Sequence, residues 1–206
     1  DVKETYTCEV TVLKHRLDAS NMELWIGESG TLNAYANDTL NQGIVWSASN
    51  NNVKLNKTTG STITVTGVTG GTTTITATTT NGDTVGVATC NITVKQPVTK
   101  IAMKSDITVY VGSSVKLSAI ATPSTATNAA VEWSGYDDSL VSLKTGFAGV
   151  TSTATITGLK AGTTSITATA KDGHGATATC TITVIQRVDS IEIPATYTLY
   201  VGKSAT

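Results

Sequence analysis

The stretch TCTITV at residues 179–184 occurs in three versions along the chain, the others being TCNITV at 89–94 and TCEVTV at 7–12. In each version, Cys and the branched apolar residues fall on one parity, and Thr and other polar residues fall on the other. Such alternation indicates a β-strand with one buried face and one solvated face. The copies lie about 80 to 90 residues apart, and a period of that size predicts an array of similar domains.

The composition narrows the class of protein. Of the 206 residues, 14% are charged, and the formal net charge is −1. A chain this close to neutrality lacks the basic surface that nucleic acids and anionic membranes attract, and no apolar run is long enough to span a bilayer. Its abundant Thr, Val and Ile favour strands over helices. We therefore expect an all-β protein with no nucleic-acid partner and no membrane insertion.

The repeated strand divides the chain into complete units and terminal fragments of such units. Each complete part shows about seven short alternating segments separated by Gly-, Asn- and Asp-rich turns, which predicts a β-sandwich. Both ends hold fragments of such a part, so we expect the chain to be an excerpt from a longer array. The predicted divisions are the last strand of a preceding unit at 1–13, complete units at 14–95 and 96–185, and the first strands of a further unit at 186–206.

One Trp and one Cys in each complete unit are predicted to lie in its core. Trp46 and Trp133 hold the inward parity of the third strand, and we expect each ring to pack against the Cys strand of a facing sheet. Cys90 and Cys180 hold the same inward place in different units. Because a disulfide needs Cα atoms within about 7 Å, we expect both to remain buried, reduced thiols.

Four motifs recur in the same order in both units, and together they resemble the bacterial immunoglobulin-like (Ig-like) domains of group 2. The resemblance implies tandem Ig-like β-sandwiches in a bacterial or phage surface protein. Such domains serve as stalks, adhesin segments and accessory modules, and the family has no shared catalytic residue. The motifs are LWIGES at 24–29 or VYVGSS at 109–114, V-x-W-S at 131–134, GTT-x-ITAT at 71–78 and 162–169, and the Cys strand itself.

The residue types that carry chemistry are sparse and scattered. We expect His15 and His174 to be solvated linker and loop histidines, since neither has a metal-ligand spacing to a Cys. The many hydroxyls have no positioned base. Asp137-Asp138 could help to hold calcium at a loop tip, but the denser alternation of acidic ligands in strong calcium loops is missing. We therefore expect no enzyme activity, no cofactor and no metal site.

Three aromatic residues are the candidates for binding or inter-domain contact. Trp25, Tyr110 and Tyr200 precede the Gly of equivalent motifs, and their parity is opposite to that of their apolar neighbours. They should therefore point out of the sandwich or lie at its rim. Exposed aromatic rings can stack on a surface glycan or anchor a host protein. We favour the other interpretation, in which each ring packs on a neighbouring domain or covers an edge of its own sheet, because all three copies keep the ring and a stalk needs a filled junction.

These observations predict a non-enzymatic, extracellular Ig-like array that acts as a spacer or adhesive stalk on a bacterial cell surface. Its partners would be the neighbouring Ig-like domains of the same array. The alternative is a carbohydrate- or host-receptor-binding module, located on a virion surface or appended to a glycan-degrading enzyme.

Overall fold

The regular elements of this protein are β-strands throughout the ranges that its structure, a computed structural model, describes: residues 16–35, 43–81, 84–193, 195–196, 198 and 200–202. Within those ranges there is no helix with the length and apolar character needed to cross a membrane. The strands are β1 (Arg16–Leu17), β2 (Asn21–Trp25), β3 (Ser29–Tyr35), β4 (Ile44–Ala48), β5 (Val53–Leu55), β6 (Thr62–Gly67), β7 (Gly71–Asn81), β8 (Thr84–Lys95), β9 (Lys100–Ala102), β10 (Asp106–Tyr110), β11 (Ser114–Thr122), β12 (Val131–Ser134), β13 (Val141–Ala148), β14 (Thr151–Gly158), β15 (Gly162–Ala170) and β16 (Thr177–Ile185).

Each unit is a sandwich of two four-stranded sheets, which confirms the predicted all-β tandem Ig-like fold. The first unit has the sheets β1-β3-β6-β5 and β2-β8-β7-β4, and the second has β9-β11-β14-β13 and β10-β16-β15-β12. Each has eight strands rather than about seven, because its first strand is split between the two sheets. The second half of that strand, β2 or β10, pairs in parallel with the last strand of the unit.

The alternation in the sequence becomes the two faces of each sheet. In β6 and β14 every second residue is buried, so Ile63 and Val65 in the first unit, and Ala154 and Ile156 in the second, face the opposing sheet. Apolar burial of this kind contributes about 25 cal/mol per Å² and is the main source of stability in such a sandwich.

The two core Trp residues have different environments. Trp46 is 2% exposed, and its indole N–H donates to the carbonyl of Gly60 at 2.7 Å. Trp133 is less buried than predicted, because it is partly exposed and packs against two separate clusters of the second unit. The predicted packing against a facing Cys strand is wrong for both. The Trp strand and the Cys strand belong to one sheet, with β7 or β15 between them.

The thiols of Cys90 and Cys180 are free and fully buried, one in each unit. Burial raises the pKa of both thiols, and the nearby carboxylates of Asp18 and Asp106 raise them further. Such thiols behave as small apolar side chains rather than as nucleophiles. Cys8, with the rest of residues 1–15, lies outside the described part of the chain.

Replacing each Trp tests the difference in burial. We expect Trp46→Ala to reduce the free energy of unfolding of the first unit by about 3–5 kcal/mol, since it leaves a large cavity and an unpaired carbonyl. Trp133→Ala should cost the second unit at least about 1 kcal/mol less than that, because its ring is already partly hydrated. Urea unfolding, followed by NMR signals of each unit, measures both losses. Equal losses would contradict the difference in environment.

The thiols can be tested by timed alkylation at neutral pH. Since both sulfurs are enclosed and largely protonated, peptide mass spectrometry should find Cys90 and Cys180 unmodified in the native protein and modified in denaturant. Native alkylation at the denatured rate would show that the cores admit the reagent.

Candidate functional site: the junction between the two units

The side chain of Trp25 lies at the junction, where it contacts the second unit. Trp25 ends β2 and pairs in register with Lys95 of β8. Its ring meets the imidazole of His174 edge-on, with 4.3 Å between the ring centroids and 63° between the planes. On the side of its own unit, the Lys95 ammonium lies 5.6 Å from the ring centroid and pairs with the Glu23 carboxylate. The indole therefore lies between an ion pair of the first unit and a hairpin of the second.

The hairpin that carries His174 is held by a buried carboxylate. The side chain of Asp172 is 0% exposed. Its Oδ2 accepts the backbone N–H of Val98 at 2.6 Å, and its Oδ1 accepts the N–H of His174 at 3.0 Å. Burying a carboxylate is costly unless hydrogen bonds satisfy it, and hydrogen bonds to a charged acceptor are the stronger kind. Asp172 thus fastens the hairpin to the chain that enters the second unit.

The linker itself is also held in place. Gln96 and Thr127 exchange two hydrogen bonds, from Gln96 N to Thr127 Oγ1 and from Thr127 N to Gln96 O, each 2.9 Å long. Pro97 follows, with its backbone φ fixed by the ring, and Val98 is 3% exposed in the core of the second unit. From Gln96 onward, the linker is therefore packed and hydrogen-bonded as part of the second unit.

The backbone that carries the junction aromatic is built in the same way in both units. Gly27 N donates to Gly67 O and Gly112 N donates to Gly158 O, each at 2.9 Å. A Cβ on Gly67 would lie 2.7 Å from the carbonyl oxygen of the junction aromatic, and one on Gly158 would lie 2.8 Å from its counterpart. Any side chain at either position would push this backbone away, so the absence of a Cβ fixes where the aromatic residue sits.

The other two predicted aromatics lie elsewhere. Tyr110 is the counterpart of Trp25 in the second unit, and it is 41% exposed, with the Arg187 guanidinium 4.6 Å from its ring centroid. Tyr200 is 75% exposed and lies outside the described strands. Trp25, Tyr110 and Tyr200 thus do not converge on one site, and the ring of Trp25 is the one that packs on the hairpin of the second unit.

Two of the chemical candidates have structural roles. His174 is an exposed loop residue, as predicted, with its side chain 39% exposed, and its ring also packs on Trp25. Asp137 accepts the backbone N–H and the hydroxyl of Ser139 at 2.9 and 2.6 Å, and these bonds lower the pKa of its carboxyl. His15 lies outside the described residues. Across the part of the chain that the structure describes, no three His, Cys, Asp or Glu side chains are grouped as metal ligands.

Asp172 is the functional residue that sequence reasoning missed. In the sequence, Asp172-Gly173 is a hairpin signal, and an Asp in a turn is normally solvated. No sequence signal marks its burial, because that depends on where the folded hairpin meets the linker. At the junction, the Lys95 cation, two aromatic rings and the Asp172 carboxylate thus all make structural contacts.

Comparison with known families supports the assignment of the second unit. Residues 97–182 match the family described as Bacterial Ig-like domain (group 2), as the motifs in the sequence predict. None of the curated proteins matches this sequence.

Solved structures share the fold at low sequence identity. A three-Ig fragment of titin, an E-to-A mutated variant, is 18% identical with a TM-score of 0.56, and the match covers 84% of this chain and 64% of the fragment. Ig domains 1–4 of Sidekick-1 are 17% identical with a TM-score of 0.54, covering 85% and 48%. Domains 4 and 5 of the S-layer protein SbsC are 15% identical with a TM-score of 0.40, covering 85% and 100%. The chain thus spans just under two thirds of the titin fragment, and the likeness concerns the fold.

The tie made by Asp172 can be tested by substitution. Asp172→Ala leaves the N–H groups of Val98 and His174 without their acceptor, so the free energy of unfolding of the second unit should fall by about 1–3 kcal/mol. Asp172→Asn keeps one acceptor oxygen and should cost less. Urea unfolding, followed by amide signals such as that of Ile182, isolates this unit. Asp138→Ala, at an exposed loop position of the same unit, is the control and should change stability by less than about 0.5 kcal/mol. A loss no larger than this control would contradict the tie.

Proposed function

We propose that this chain is a structural spacer, a non-enzymatic Ig-like array whose units are held at a defined joint. The observation that carries the proposal is the Trp25–His174 contact across the junction, together with a linker hydrogen-bonded into the second unit. A linker without such contacts would let the two sandwiches reorient freely. The edge-on contact of the two rings limits that motion, and the Asp172 tie holds the hairpin that carries His174. Such a joint suits a stalk that presents another part of a protein at a distance.

Residues equivalent to those of the junction are found again at the far end of the second unit. Tyr110 and Arg187 take the places of Trp25 and the linker beside it, on the same Gly-supported backbone. Val188 holds the position that corresponds to Val98, yet it is 79% exposed where Val98 is 3% exposed. We infer that residues 186–206 begin a further unit, which would enclose Val188 and place its own hairpin against Tyr110.

We place the array outside the cell, on a bacterial surface. The support is the family match of residues 97–182 and the Thr-rich strands of a chain with a net charge of −1, which suit a solvated structural module. The alternative function, binding of a glycan or a host protein through the exposed aromatics, has weaker support. The ring of Trp25 is occupied by His174, and one face of the Tyr110 ring is occupied by Arg187.

The spacer function predicts that Trp25→Ala loosens the joint. With spin labels at Thr31→Cys and Ser142→Cys, in a Cys8→Ser background, the inter-unit distance distribution should be narrow in the parent protein and broader with Trp25→Ala. The physical reason is the loss of the aromatic contact across the junction. Pulsed electron–electron spin resonance measures the distribution.

Tyr110→Ala is the matched control, since Tyr110 is the equivalent residue on the other side of the second unit and should leave the distribution unchanged. Equally broad distributions in the parent and in Trp25→Ala would refute the spacer function. A glycan array in which the parent binds and Trp25→Ala does not would favour the binding function instead.

A further inference from the structure

The two units differ at one edge of the sandwich, where the connection between the paired residues Leu143 and Ile156 is longer than that between their counterparts Leu55 and Val65. In the first unit, the segment Lys57–Gly60 lies along the outer edge of β4. Trp46 N donates to Thr58 O and Gly60 N donates to Ile44 O, at 2.8 and 3.0 Å, so Val45 and Thr59 form an antiparallel bridge. The carbonyl of Gly60 also accepts the indole N–H. A short extended peptide therefore completes this sheet edge and buries the Trp ring.

The second unit uses the equivalent segment differently. Its β13 continues along β14 for eight residue pairs, from Val141 to Ala148, whereas β5 in the first unit pairs with β6 for three. Nothing in the described chain then lies along β12 as Lys57–Gly60 lies along β4. Glu132 on β12 corresponds to Val45, and Trp133 corresponds to Trp46.

On the uncovered edge, the N–H of Val131 donates to Ser152 Oγ at 3.1 Å, while two further backbone groups lie in the same register as on β4. Lys171 N donates to Ala130 O, so alternate residues of β12 face β15, and the N–H of Trp133 and the carbonyl of Val131 face outward. These are the groups that correspond to Trp46 N and Ile44 O. The indole N–H of Trp133 has no acceptor among the described residues, and the ring is partly exposed. An edge of this kind is a template for pairing with another strand.

A groove of about 310 Å³ runs along this edge. Its walls are β12 and the end of β13, where Phe147 is 54% exposed with its ring on the groove side. Lys171 lines the Ala130 end of the groove, and Glu132 is exposed on β12. The groove thus combines apolar surface, outward backbone groups and the Lys171 side chain, and Glu132 lies exposed on β12 outside the groove lining.

We propose that this groove binds an extended peptide strand of a partner protein, held on β12 by the contacts that Lys57–Gly60 makes on β4. The peptide runs antiparallel to β12 and places a glycine carbonyl on the Trp133 indole N–H. Its neighbour before that glycine lies opposite Glu132, where the first unit has Thr59 opposite Val45. A basic side chain there is complementary to Glu132, since directly opposed residues on antiparallel strands interact. The ligand is therefore a Thr- and Gly-rich strand with a Lys or Arg before its Gly, bound by strand addition.

The probe for this site is the peptide NKTTGS, which has the sequence of residues 56–61. Titrated into the ¹⁵N-labelled full chain, it should shift the backbone and indole N–H signals of Trp133. The same peptide with N-methylglycine in place of its Gly lacks the donor to Val131 O and should bind about fivefold or more weakly. An unchanged Trp133 spectrum at millimolar peptide, or equal binding of both peptides, would overturn the proposal.

Charge reversal tests the register independently. Peptides with Lys or Glu before the Gly should bind in the order Lys above Glu, and Glu132→Lys should invert that order. Asp106→Lys, on the opposite edge of the same sheet, is the matched control and should leave the order unchanged. A fixed order in all three proteins would contradict the register. If soluble oligosaccharides shift the Trp133 signals and the peptides do not, the groove is a sugar site and the proposal fails.

Discussion

The hydrogen bond from the backbone N–H of Val98 to the enclosed carboxylate of Asp172 is the constraint that holds the hairpin of the second unit at the junction. It joins the point where the chain enters the second sandwich to the hairpin that reaches back toward the first. Because that hairpin carries His174, the position of the imidazole against Trp25 follows from the same bond. An unpaired carboxylate could not stay buried there, so the tie and the burial support each other.

The edges of the sandwiches pose the second constraint. A sheet edge exposes unpaired backbone donors and acceptors. The edge strand is equivalent in the two units, but the chain around it differs. The first unit turns its own chain back over β4, which Gly60 permits through a backbone φ of +101°. In the second unit, the segment that follows β13's first residues pairs with β14 in a longer hairpin instead, and β12 is left uncovered. Two copies of one repeat thus differ in whether this sheet edge is covered, and the uncovered edge of β12 has the features of a binding surface.

Much of the fold is predictable from the sequence, because buried and solvated residues alternate along each strand of a sandwich. The parity around Cys90 and Cys180, with the repeat itself, predicts the strands, the buried faces and the number of units. Parity cannot show which sheet a strand joins, and for this reason the packing expected of Trp46 and Trp133 was wrong. The junction is only partly predictable. The alternation predicts an outward aromatic at Trp25. The burial of the Asp172 carboxylate depends on how a turn meets the linker, and no periodic pattern in the sequence records that.

The measurement that tests the central claim most directly is a set of residual dipolar couplings for the backbone N–H groups of both units in one weakly aligned sample. If the joint fixes the units, the couplings of residues 43–81 and those of residues 98–185 will fit one alignment tensor with the same magnitude and orientation. Two tensors of clearly different magnitude would show that the units reorient independently, and the account of a defined joint would be wrong.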